Sequence, residues 1–122
     1  MVNLPKGVNI HHLIDDLRKY SWEAADILLF YSNILSNGAK NTDLIKNGSH
    51  DNPVTIADLK VNELIISRIK ENYKDVEWGI LSEENVKTGY GNSNLTKDWL
   101  WVLDPLDGTK DFIQGTGNYA MH

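Results

Sequence analysis

The run Trp99-Leu100-Trp101-Val102-Leu103 leads without a break into Asp104-Pro105-Leu106-Asp107-Gly108-Thr109-Lys110-Asp111-Phe112. Five apolar residues in a row suit a strand covered on both faces, as in a sheet packed between layers. Asp-Pro and Asp-Gly are common turn dipeptides. An aspartate ending so apolar a strand is nevertheless hard to read as an ordinary surface turn. This order puts carboxylates at a strand end, just before backbone N–H groups that open a helix, where a metal ion and a phosphate can meet.

The rest of the chain reads as further helix and strand. Apolar residues from Ile10 to Leu35 recur at three- and four-residue steps, which predicts a long amphipathic helix over about 9–35. Asn9 can cap its start, and Asn37-Gly38 suits a left-handed stop. A polar stretch over 39–52 follows, with Asp43 to Lys46 a candidate short strand and Asn47-Gly48 a turn. A second helix is expected from Thr55 on the spacing of Ile56, Leu59, Leu64, Ile65 and Ile69, with Pro53 upstream where it does no harm. Val76 to Leu81 reads as a strand ending at Ser82-Glu83-Glu84, and 85–98 as a loop. Gly108 to Ile113 suits a short helix, and Gly117 to His122 the start of another strand. Helices and strands in this order predict an α+β layered architecture.

The 122 residues can bury one core. A net charge of −5 argues against binding a nucleic-acid polymer, which needs clustered Lys and Arg. There is no cysteine, hence no disulfide and no thiolate metal site. Met1 to Lys6 lacks the apolar core of a signal peptide, and no apolar run reaches the length of a membrane span. A cytoplasmic protein without a membrane partner is expected.

Five carboxylates fall at the ends of predicted elements: Asp58, Glu83, Glu84, Asp104 and Asp107. If several converge, bound cations are the usual answer to their repulsion and desolvation. Magnesium suits such oxygen ligands, and a pair of metal ions can activate a water and stabilise a leaving oxygen. Each residue also has a plainer reading. Asp58 lies three residues after Thr55, the spacing of a capping box, and the two roles are compatible. Glu83-Glu84 suits solvated loop charge. Lys110 suits either a phosphate contact or a solvated helix surface. The four histidines show no ligand spacing and read as surface residues, and the four tryptophans read as core. An EF-hand fails on counting from Asp104, because Leu106 and Thr109 occupy the third and sixth positions. The Asp-x-Asp nucleophile pattern of the haloacid-dehalogenase phosphatases fails because two residues separate Asp104 from Asp107. Nothing supports Ser82 as the nucleophile of a triad.

Asp104-Pro105-Leu106-Asp107-Gly108-Thr109, preceded by Ser82-Glu83-Glu84 and by Pro53-Val54-Thr55-Ile56-Ala57-Asp58, resembles the inositol monophosphatase superfamily of magnesium-dependent, lithium-sensitive phosphatases. Within it, Lys110-Asp111-Phe112 after Gly108-Thr109 looks like the 3′(2′),5′-bisphosphate nucleotidases, which act on 3′-phosphoadenosine 5′-phosphate; inositol monophosphatases more often carry Thr-Asn-Phe there. The resemblance implies two or three Mg2+ per complete site. Glu83, Asp104, the Leu106 carbonyl and Asp107 would be metal ligands. Asp58, Glu83 and Thr109 would be catalytic, orienting an attacking water. Asp107, Gly108 and Thr109 would hold the phosphate of a small phosphorylated substrate. A homodimer also fits the family. The family's further metal-ligating Asp, in a Trp-Asp motif, has no counterpart in 1–122. The expectation is therefore the N-terminal portion of one phosphatase domain, with an incomplete sheet and, taken alone, little activity. An inositol or sugar phosphatase, or an inactive fragment that binds metal or a partner through its open sheet edge, are the alternatives.

Overall fold

The computed structural model describes residues 3–36, 45–46, 54–87 and 97–122. Helix α1 is Ile10–Ser36. Its first N–H groups are capped by Asn9, whose Oδ1 accepts from the amides of His11 at 3.0 Å and His12 at 3.2 Å. Strands β1 (Ile45–Lys46) and β2 (Val54–Thr55) pair antiparallel. Helix α2, Ile56–Asn72, starts at a complete capping box in which Thr55 and Asp58 serve each other's backbone amides. Strand β3 (Gly79–Ser82) runs directly into the short helix α3 (Glu83–Lys87). Strand β4 (Leu100–Leu103) lies parallel to β3, and helix α4 is Thr109–Gln114.

One core joins the helices to the strand end. Tyr20, Ala24 and Leu28 of α1 meet Ala57, Val61, Ile65 and Ile69 of α2, together with Leu103, Leu106 and Phe112. Full burial of a side chain such as Leu, Ile or Phe is worth about 1.5–3 kcal/mol, so this shared cluster fixes the helix pair against the end of β4. Phe112 of α4 adds an edge-to-face contact with Tyr119 at 4.9 Å. Among the described residues, no helix is long and apolar enough to cross a membrane.

Several sequence expectations need correction. The β4 run is not covered on both faces: Val102 is 69% exposed and Leu100 is 37% exposed, whereas Leu103 is buried. The pleat sends alternate side chains to opposite faces, and the helix layer covers one of them. Trp22 is not core either, being 69% exposed. It sits two residues from both Tyr20 and Ala24, on the opposite side of α1 from those buried positions. Ile10 and Ile14 are likewise exposed. The strand expected from Val76 begins only at Gly79, because residues 73–76 close a turn through the Val76 amide and the Tyr73 carbonyl. Glu83 and Glu84, expected to end the strand, and 85–87, expected to begin the loop, instead form α3. The end of the segment Gly117 to His122 runs antiparallel to the turn after β4, with reciprocal backbone pairs at Asp107–Ala120 and Asp104–His122, as the start of a strand would. The stop at Asn37-Gly38, the turn at Asn47-Gly48, Pro53 and His50 lie outside the described residues.

Candidate active site

The register of the parallel pair assembles the first half of the site. Ser82 faces Leu103 across the sheet, so the next residues along, Glu83 and Asp104, leave adjacent strand ends together. Asp104 is fixed by its own backbone, which exchanges two hydrogen bonds with His122 at 2.6 and 2.8 Å. Asp107 is fixed the same way against Ala120, at 2.7 and 3.1 Å. Between them Pro105 and Leu106 are buried. The apolar middle of the turn thus anchors it in the core, and Asp107 at its end is exposed.

This placement has an electrostatic consequence. The Asp104 carboxyl is pushed up to about 7, first by burial, then by the Glu83 carboxyl within hydrogen-bonding reach and by that group's charge. The Leu106 amide, donating to Asp104 Oδ1 at 3.3 Å, pulls the other way, and the Asp107 charge adds a further push. Two acids this close share a proton rather than both ionising. Glu84, read from sequence as plausible solvated charge, is instead 2% exposed.

Asp58 and Thr109 form the second half. Asp58 is fully buried at the first turn of α2. Its Oδ2 accepts from the Thr55 amide at 2.8 Å and the Thr55 hydroxyl at 2.6 Å. Its Oδ1 lies 3.2 Å from Thr109 Oγ1, which is also 3.1 Å from the Leu106 carbonyl oxygen. Burial raises the Asp58 pKa, and the hydrogen bonds from Thr55 and Thr109 oppose that rise. The helix cap and the contact with Thr109 therefore coexist in one carboxylate. Thr55, read only as a cap, supplies two of its donors.

Gly108 joins the halves. It adopts φ +84°, in the left-handed region, and a Cβ there would come within 2.5 Å of the Asn118 carbonyl oxygen. Thr109 follows as the first residue of α4, whose opening N–H groups have no acceptor within the helix. Lys110 is exposed, as are His11, His12 and His122. The Ser82 hydroxyl donates to Asn62, in keeping with no role as a nucleophile.

The donors present fit a hard cation. They are carboxylate and carbonyl oxygens only, and the Asp104–Glu83 repulsion is what a positive charge would relieve. Among the described residues, no three acidic or imidazole groups form a ready ligand set by themselves. Magnesium does not need one, since it keeps several waters and is commonly held by one or two carboxylates plus substrate.

Comparison with known proteins identifies the family. The sequence model of the inositol monophosphatase family matches residues 12–122, and the chain belongs to that family. It is 47% identical over 60 residues to inositol monophosphatase 1 of Xenopus laevis, covering 49% of this chain and 20% of that protein. It is 32% identical over 88 residues to the 3′(2′),5′-bisphosphate nucleotidase CysQ of Escherichia coli O157:H7, covering 70% of this chain and 33% of that one. The matches thus span a fifth to a third of these relatives. In fold the chain is similar to the solved structures of a Thermotoga maritima IMPase and of the extragenic suppressor protein suhB from Bartonella henselae. Each superposes with a TM-score of 0.66, at 24% and 19% identity, over 90% of this chain and 37% and 38% of the other.

Proposed function

We propose that this chain carries the metal- and phosphate-handling corner of a magnesium-dependent phosphomonoesterase that removes the 3′-phosphate of 3′-phosphoadenosine 5′-phosphate. The observation that carries the reading is the meeting of Asp104 with Glu83 at the end of β4, one short turn from the Thr109–Asp58 contact. Glu83, Asp104, Asp107 and the Leu106 carbonyl are the groups that would hold Mg2+. When bound, the cation supplies charge neutralisation and Lewis acidity toward the phosphate oxygens.

The remaining work falls to side chains and backbone. Thr109 Oγ1, with its proton directed at Asp58 Oδ1 or the Leu106 carbonyl, keeps lone pairs to accept a hydrogen from an incoming water and so orient it. Asp58 Oδ1 is the nearby base that can draw that proton onward. Burial raises its affinity for a proton toward what a base needs. The N–H groups of Gly108 and Thr109 meet the phosphate, and Gly108 allows the close approach.

A second reading, hydrolysis of an inositol or sugar monophosphate, is favoured by the 47% identity to inositol monophosphatase 1. Phosphate release from the adenosine bisphosphate and from inositol 1-phosphate, measured side by side with Mg2+ and with EDTA, separates the two. A clear preference for inositol 1-phosphate would replace the nucleotidase reading. Activity that survives EDTA unchanged would remove the metal. Independently of turnover, Mg2+ should raise the melting temperature of the chain, because a ligand held by the folded state alone stabilises it.

A further inference from the structure

Helix α3 holds Glu83 as its first residue, yet it is five residues long and too short to hold its own position. Glu83 also meets the Asp104 carboxyl, so its placement sets the geometry of that pair. Something outside α3 must fix the turn. Ser82, immediately before Glu83, is fully buried, so its hydroxyl needs an internal partner. It donates to Asn62 Oδ1 on α2. The same carboxamide donates through Nδ2 to Asn85 Oδ1 at 2.9 Å, two residues beyond Glu83. One side chain therefore grips the chain on both sides of Glu83, using its acceptor on one side and its donor on the other. Asn62 stands one turn after Asp58 on α2, so a single helix face ties down both halves of the site.

We infer that Asn62 is a positioning residue: through Ser82 and Asn85 it holds the Glu83 carboxylate against Asp104 in the geometry that takes a divalent cation. The inference rests on the reading of Glu83 and Asp104 as cation ligands. Asn62 itself touches neither the cation nor the substrate. Its effect must therefore vanish when Glu83 can no longer act.

The test is a double-mutant cycle on Mg2+ affinity, measured by calorimetric titration of the wild-type chain, Asn62→Ala, Glu83→Gln and the combination. Asn62→Ala should weaken Mg2+ binding about tenfold, the usual scale for a group that orients a metal ligand. The combined variant should bind no more weakly than Glu83→Gln alone. An equal loss in both backgrounds, or no loss on Asn62→Ala, overturns the positioning role and leaves the carboxylate reading intact. No Mg2+ binding by the wild-type chain overturns both. If circular dichroism shows that Asn62→Ala does not fold, Ser82→Ala cuts the buried arm of the clamp and carries the same cycle.

Discussion

At the start of α2, Asp58 is fully buried and takes its contacts from hydroxyl and amide protons, beside a corner where the Glu83 and Asp104 carboxyls meet. At the far end, polar side chains hold α2 to α1 in a half-exposed seam. There the Tyr73 hydroxyl donates to Asp16 Oδ2 at 2.6 Å, Asn72 donates to the Tyr20 hydroxyl, and Arg68 pairs with both oxygens of Glu23 at 3.0 and 3.2 Å. In the seam, Asp16 and Glu23 each meet a donor. Burial, with the Asp16 contact added, keeps Tyr73 protonated well beyond its ordinary range. In the corner, the carboxyl groups of Glu83 and Asp104 face one another. Paired charge marks a structural joint, whereas two carboxyl groups brought together mark a candidate functional corner.

That contrast can be broken by substitution. The largest effect should come from Asp104→Asn, which in the catalytically competent protein should lower magnesium-dependent phosphate release at least about 10²-fold. In the absence of Mg2+ the same change should raise the melting temperature, because one of the converging charges is gone. A loss of both activity and stability would mean that the corner is an ordinary structural joint. Asp58→Ala should come next, costing about 2–4 kcal/mol in denaturant unfolding, since it strips a helix cap and leaves buried donors of Thr55 unpaired. Tyr73→Phe in the seam should cost about 1–2 kcal/mol, the worth of a hydrogen bond to a charged group that is partly exposed. Glu23→Ala should matter least. Its bond to Arg68 is open to solvent, and any loss should fade as salt is added. If Glu23→Ala proved as costly as Asp58→Ala, the distinction between the two ends would collapse.

Much of this was legible in the chain because it depends on local pattern. The three- and four-residue apolar steps marked α1 within a residue at each end. Thr55 and Asp58 announced the start of α2, and the Asp104-to-Thr109 run marked the turn that carries the candidate site. What stayed hidden depends on contacts across the fold. An apolar run such as Leu100 to Leu103 reads the same whether one face or two are covered. A five-residue helix such as α3 carries no measurable period, so Glu83 and Glu84 read as the end of the strand and Asn85 onward as loop. Burial of Glu84 follows from where α3 packs, which no local rule contains. Asn62 gave no signal of its own. Its one clue was a place four residues after Asp58, and that becomes meaningful only once Ser82 and Asn85 are seen on either side of it.

The close approach at Gly108 also bears on which neighbouring sequences this fold can reach. A side chain there meets a main-chain oxygen, which cannot turn aside as a flexible side chain could, and it must also hold a backbone angle that only glycine adopts freely. The codon for residue 108 is therefore a dead end for single-step variation. In a saturation library sorted for folded chains, glycine alone should survive at this position, whereas the exposed neighbour Lys110 should accept almost any residue.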